Sequence, residues 1–217
     1  PSSQIAFYEF EGNGDNSASG SYSLTITGAA TYENQQSQGV SSTFKGQSIL
    51  FKKAGHYASV DFNQAFSGAT GLSVSTWVKI KEINPGFSVA GYNYMDLVWW
   101  ANGNDSDAIN TALNRNPKIR TFVTLKSSST SRTIHLNGDT AGGDFRILND
   151  EDAINNTLLD TENKWHHLAY TIDFDNQDAR LYIDGELYGN DKFTGDFSTT
   201  DFLFFGDNTA PNNEYMY

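Results

Sequence analysis

Residues 72–80 constrain the fold of this chain more than any other stretch. Leu72, Val74, Thr76, Val78 and Ile80 fall on one parity, and Ser73, Ser75, Trp77 and Lys79 on the other. Successive side chains leave a strand on opposite sides, so this alternation predicts a β-strand with one face against a core and one polar face. Further alternating runs predict strands over residues 5–10, 48–51, 57–62, 95–100, 119–125, 133–136, 165–174, 179–183 and 201–205. Turn chemistry separates them: Gly12-Asn13-Gly14-Asp15 closes the first run, and Asp175-Asn176-Gln177-Asp178 follows the strand over 165–174. Asp184-Gly185, between two alternating runs, predicts a tight hairpin. No stretch carries a sustained 3.6-residue apolar stripe, and the one helix-compatible piece, residues 151–159, is too short to bear on the fold. Short strands at this spacing predict an all-β chain in two packed antiparallel sheets. Two long loops are expected over residues 102–118 and 137–163, and long loops in compact domains carry function or motion.

A chain of 217 residues fits one large sandwich, so residues 1–217 are read as a single domain. It has no cysteine, which excludes disulfides and thiolate metal sites. No run approaches the ~18 consecutive apolar residues of a membrane span. Pro1 opens directly into polar residues, so either the chain is cytosolic or a leader lies outside the sequence given. The formal charge is −12, from 26 acidic against 14 basic residues. A field of that sign repels phosphate backbones and anionic membranes, and it suits cations and neutral partners; acidity also serves solubility.

Several blocks, in order, resemble one family. They are Ile5-Ala6-Phe7-Tyr8-Glu9-Phe10 with Asp15-Asn16-Ser17-Ala18-Ser19-Gly20; Gly46-Gln47-Ser48-Ile49-Leu50-Phe51 with His56-Tyr57-Ala58-Ser59-Val60; Leu72-Ser73-Val74-Ser75-Thr76-Trp77-Val78-Lys79; and Trp165-His166-His167-Leu168-Ala169-Tyr170-Thr171 with Leu181-Tyr182-Ile183-Asp184-Gly185. Together they resemble the laminin G-like jelly-roll domains of the concanavalin A-like lectin/glucanase superfamily, over nearly the whole chain. The resemblance implies a two-sheet antiparallel jelly-roll sandwich. It also implies a closing strand after the segment matching Phe204-Phe205-Gly206, where this sequence stops at Met216-Tyr217. The fold is therefore expected to lack its last strand as given, leaving an edge open beside residues 5–10.

The resemblance further implies a calcium site in the first loop, with Asp15 and oxygens of Asn13, Ser17 and Gly20 as ligands of a structural Ca²⁺. The alternative is an Asx turn at Asp15 with no ion. Candidate glycan-binding residues come from the aromatic residues. Trp77 shares a polar strand face with Ser73, Ser75 and Lys79, so it either stacks on a sugar or lies under a covering loop. Trp99 and Trp100, adjacent on a strand near Tyr92 and Tyr94, point to opposite faces, leaving one for the core and the other for a ligand. His166 shares parity with Leu168, Tyr170 and Ile172 and is expected as a core histidine, while His167 lies on the more polar face. No further ligand stands near His135 in sequence, so no metal role is expected for it.

The Glu-x-Asp-x-x-Glu strand of this superfamily's retaining glucanases is absent. Thr133-Ile134-His135 only approaches the Gln-x-His strand of its lyases, and there is no Gly-x-Ser-x-Gly elbow. The expected function is a non-catalytic, lectin-like, carbohydrate-binding module of an exported or cell-surface multidomain protein. Its partner would be a glycan or surface glycoprotein, without nucleic acid or membrane insertion. A protein-adhesion or spacer domain is the first alternative, and a polysaccharide lyase or glycosidase the second.

Overall fold

The computed structural model describes residues 4, 6–10, 12–18, 21–28, 31–34, 46–51, 56–62, 68–79, 92–101, 119–126, 132–138, 145–147, 165–195 and 202–206. Every element among them is a strand: β1 Thr25–Thr27, β2 Thr31–Asn34, β3 Gln47–Leu50, β4 Tyr57–Asp61, β5 Gly71–Lys79, β6 Tyr92–Ala101 and β7 Ile119–Lys126, then β8 Arg132–Gly138, β9 Phe145–Ile147, β10 Trp165–Asp173, β11 Asp178–Ile183, β12 Glu186–Lys192 and β13 Phe202–Gly206. A seven-stranded sheet runs β1-β4-β13-β6-β7-β8-β9, a four-stranded sheet runs β12-β11-β10-β5, and β2 pairs with β3. Every pairing is antiparallel.

The expected two-sheet antiparallel sandwich is thus the observed one. Leu72 on β5, Leu168, Tyr170 and Ile172 on β10, and Leu181 and Ile183 on β11 form the inner face of the smaller sheet. They share one core with Ala58, Val60, Val98, Trp100, Ile119, Val123, Ile134, Leu136 and Leu203 from the larger sheet. Deep in that core the indole N–H of Trp100 donates to the Tyr170 hydroxyl at 2.8 Å, joining the two sheets by a polar contact. Burial pushes the Tyr170 phenol well above its ordinary pKa, against the hydrogen bond from Trp100, so the hydroxyl stays neutral. Along one side β9 and β12 bring the sheets together. The Arg146 amide donates to Asp191 Oδ2 at 3.0 Å, and Gly189 leaves room for Ile147, whose Cγ2 would lie 2.6 Å from a Cβ added there.

β6 carries the irregularity that most affects the surface. Asp96 pairs with Phe122 and Val98 with Thr121, so Leu97 is an extra residue and the pairing shifts there. The bulge is held by Thr121, whose hydroxyl accepts from the Val98 amide at 3.1 Å and donates to the Val98 carbonyl at 2.9 Å. Both bonds are buried. Thr121→Val keeps the shape and removes the hydroxyl, leaving two buried backbone groups without it. We expect a loss of about 1–2 kcal/mol, read as a lower urea midpoint at unchanged slope.

Residues 6–10 form no strand; only Tyr8 makes an isolated antiparallel bridge, to Asn16. The backbone of Phe7 is instead satisfied by the following loop, its N–H donating to Asn16 Oδ1 and its carbonyl accepting from the Ser17 amide, each at 2.9 Å. The alternation persists without the ladder, since Tyr8 and Phe10 pack on the core while Phe7 is half exposed. The expected loop over 137–163 contains β9, a strand too short to show a period. Residues 102–118 and 151–159, Ile80, and residues 207–217 where a closing strand would fall all lie outside the described residues.

Candidate functional site

The hairpin that joins β11 to β12 sets up the site. Asp184 and Gly185 take positive φ values of 53° and 87° between the paired Ile183 and Glu186, the conformation of a type I′ turn. That turn aims the Asp184 carboxylate back at β10. Oδ2 accepts from His166 Nδ1 and Oδ1 from the His167 amide, both at 2.8 Å, while the Asp184 amide donates to the His167 carbonyl. His166 is mostly buried on the core parity, as expected, with its Nδ1 spent on Asp184.

His167 faces the other way, onto the outer surface of the four-stranded sheet. Its Nε2 lies 2.7 Å from Ser75 Oγ, and its ring is 5.2 Å from that of Trp77, its partner in the β5–β10 register. Trp77 is 46% exposed. The expectation that it shares a polar face with Ser73, Ser75 and Lys79 is met. Beyond Trp77, Lys79 Nζ stands 5.7 Å from the centre of the Trp165 ring. Across the sheet, Ser75 pairs with Ala169, Ala169 with Tyr182, and Tyr182 with Leu187, which is 55% exposed. The small residues Ser75 and Ala169 therefore lie in the next row of this face, with Tyr182 on the neighbouring strand. Such a surface offers a flat apolar ring and polar groups fixed beside it, which is what a sugar ring needs: C–H faces to stack and hydroxyls to bond.

Asp184 is the electrostatic fixture of this face. Burial works to raise its pKa, but hydrogen bonds from His166 and the His167 amide outweigh it and hold the carboxyl below its ordinary range. A depressed carboxyl stabilises the fold at pH values above its unfolded pKa of about 3.9, and that contribution disappears as pH falls through the lower folded value. The difference in melting temperature between the wild type and Asp184→Asn is therefore expected to hold above about pH 4 and to close below it.

The remaining candidates fall elsewhere. Trp100 is the tryptophan turned into the core, 2% exposed. Trp99 lies on the outer face of the seven-stranded sheet but is only 9% exposed, stacked on Phe204 at 4.1 Å and 9°, with its Nε1 donating to the Gly206 carbonyl. The bulge at Leu97 puts backbone positions Tyr92 and Tyr94 on that same outer face, because Tyr92 pairs with Lys126, Tyr94 with Thr124 and Trp99 with Arg120. Trp77 and Trp99 thus occupy opposite faces of the sandwich and do not form one site.

In the first loop Asn13 and Asp15 are occupied with each other. Asn13 Nδ2 donates to Asp15 Oδ2 at 2.8 Å, and the Asp15 amide donates to Asn13 Oδ1 at 3.2 Å, an Asx turn. The loop is pinned by Asn16, which is buried and bonds Phe7, Ala18 and Ser21; Ser17 bonds the Phe7 carbonyl. Gly20 lies outside the described residues. Among the described residues no three histidine, aspartate or glutamate side chains come together. No sequence motif announced His167 and Tyr182 as neighbours of Trp77; that juxtaposition comes only from the sheet register.

A laminin G-like family model, described as the concanavalin A-like lectin/glucanases superfamily, matches residues 52–216. No curated protein matches the sequence. Among solved structures, domain 4 of AbnA, a GH43 extracellular arabinanase of Geobacillus stearothermophilus in complex with arabinotriose, superposes with a TM-score of 0.57 at 15% identity, covering 97% of this chain and 87% of that one. The binding domain of botulinum neurotoxin DC in complex with SialylT gives 0.55 at 13%, covering 90% and 41%. Full-length tailspike protein 2 of an Escherichia coli O157:H7 bacteriophage gives 0.55 at 16%, covering 89% and 24%. At these identities the likeness is one of fold.

Proposed function

The chain belongs to the laminin G-like family of the concanavalin A-like lectin/glucanases superfamily, and from that premise we propose that it is a non-catalytic carbohydrate-binding module. The observation that carries the reading is the exposed Trp77, its ring beside that of His167 on the outer face of the four-stranded sheet. An exposed indole offers a flat apolar face to a sugar ring, and a ring fixed by its neighbours loses little entropy on stacking. The neighbours of similar fold include a domain of an extracellular enzyme and a toxin binding domain, each solved with a saccharide or glycan. They support reading this module as the glycan-recognising part of a larger exported or surface protein. A single shallow site gives weak affinity, with avidity supplied by neighbouring modules.

A glycan panel probed with the wild type and Trp77→Ala, with and without EDTA, tests this. We expect retention on at least one neutral or branched glycan, lost in the variant, with little change in melting temperature because Trp77 packs few atoms. Retention that survives Trp77→Ala would remove the platform, and release of reducing ends or unsaturated uronates from a polysaccharide panel would replace binding by catalysis. Loss of retention in EDTA would bring calcium at the Asp15 loop into the function.

A further inference from the structure

Three large apolar side chains stand exposed among the described residues, and two of them, Trp77 and Leu187, belong to the four-stranded sheet. They lie on its two edge strands, β5 and β12. Leu72, Leu168, Leu181 and Ile183 are buried inside the sandwich, so Trp77, His167, Ala169 and Tyr182, on the other parity, face outward. Leu187 pairs directly with Tyr182 and shares its side of the sheet. The row Ser75, Ala169, Tyr182, Leu187 thus crosses all four strands, one step along from the Trp77–His167 pair. Three strand spacings, roughly 14 Å, separate its ends.

Between its two apolar edges this face is polar and largely uncharged. Ser73, Ser75 and Thr171 place hydroxyls on it, and the Tyr182 hydroxyl is held by Arg180. The cations around it are occupied. Lys79 Nζ lies over the Trp165 ring, Arg180 Nε donates to Asp178 Oδ2 at 2.6 Å, and Lys192 Nζ stands 3.1 Å from Asp178 Oδ1. The Asp184 carboxylate at the turn is bonded to His166 and the His167 amide. Ala169, at the centre of the crossing row, carries no side chain long enough to obstruct a chain laid over it. A ligand that uses both edges is therefore neutral, rich in hydroxyls and longer than one sugar ring.

We propose that Trp77 is one end of a longer site, in which a neutral, unbranched glycan lies across the strands from Trp77 over Ala169 and Tyr182 to Leu187. The inference rests on the reading of Trp77 as a sugar platform and adds the class of ligand: an internal run of several sugar units, not a single terminal sugar. Covering Leu187 with the C–H face of a sugar takes apolar area out of water, and the Tyr182 ring, tethered through its hydroxyl, loses little freedom on contact.

The test is titration calorimetry of the full chain with cello-, xylo-, manno- and arabino-oligosaccharides, each from disaccharide to hexasaccharide. In at least one series affinity is expected to rise roughly tenfold from the disaccharide to the tetrasaccharide and then to level off. Leu187→Ser, at an exposed position, should weaken the tetrasaccharide roughly tenfold and leave the disaccharide unchanged. Ala169→Gln, which sets a neutral side chain in the path, should do the same, whereas Trp77→Ala should abolish binding of both. Unchanged circular dichroism of the variants separates these losses from unfolding. Binding that needs Trp77 but is as strong for the disaccharide as for the hexasaccharide would overturn the longer site and leave the platform standing. So would binding untouched by both Leu187→Ser and Ala169→Gln. No binding in any series would overturn the platform and the longer site together.

Discussion

Trp100→Ala is expected to cost about 3–5 kcal/mol, the usual range for deleting a large buried aromatic side chain. Trp100 is 2% exposed, lies between the two sheets, and packs against Phe62 with ring centroids 5.7 Å apart. Its N–H bond to Tyr170 crosses the core, so the substitution removes packing and also leaves a fully buried hydroxyl without its donor. A domain of this kind holds about 5–15 kcal/mol in total, so the variant should sit near the edge of folding. Tyr170→Phe isolates the polar part: the Trp100 N–H loses its acceptor while the ring remains, and the expected loss is about 1–3 kcal/mol. Urea titrations of the three proteins, followed by far-ultraviolet circular dichroism, check the order wild type, Tyr170→Phe, Trp100→Ala. Equal midpoints for wild type and Trp100→Ala would contradict the placement of Trp100 as the link between the sheets.

Gly138→Ala should also be costly, although Gly138 is not a turn residue. A Cβ at that position would lie 2.1 Å from Cε1, 2.5 Å from Cζ and 2.7 Å from Cδ1 of Phe145, its cross-strand partner. Phe145 is fully buried against Phe193, so its ring has nowhere to swing. The strain must then separate β9 from β8 or displace the β9–β12 contact that closes the sandwich on this side. Overpacking at a site with no relief is expected to cost about 3 kcal/mol, the top of its usual range. Protection from hydrogen exchange at Phe145–Ile147 should fall before that of β10 and β11, and unchanged protection there would show that the sheet absorbs the methyl elsewhere.

The strand Gly71–Lys79 could be read from the sequence because its parity is unbroken and its two faces differ in polarity. The Asp184-Gly185 turn was equally legible, since few pairs accept two positive φ values. The opposite orientations of Trp99 and Trp100 followed from adjacency alone. Their relation to Tyr92 and Tyr94 did not, because strict alternation groups the tyrosines with Trp100, and only the bulge at Leu97 moves Trp99 onto their face. Residues 6–10 alternate like a strand yet make no ladder, because Asn16 supplies locally the hydrogen bonds a neighbouring strand would give. The polar face bearing Trp77 was legible, but His167 beside it was not: Ser75 and His167 are 92 residues apart, and pairing at that separation leaves no local trace.

An NMR titration of the chain with a glycan that it retains tests the proposed role of Trp77. The indole N–H of Trp77 and the amides of Ser75, His167 and Ala169 are expected to shift together and saturate at one dissociation constant, while the Trp100 indole stays unmoved. A titration that saturates with those four signals unchanged would contradict the account.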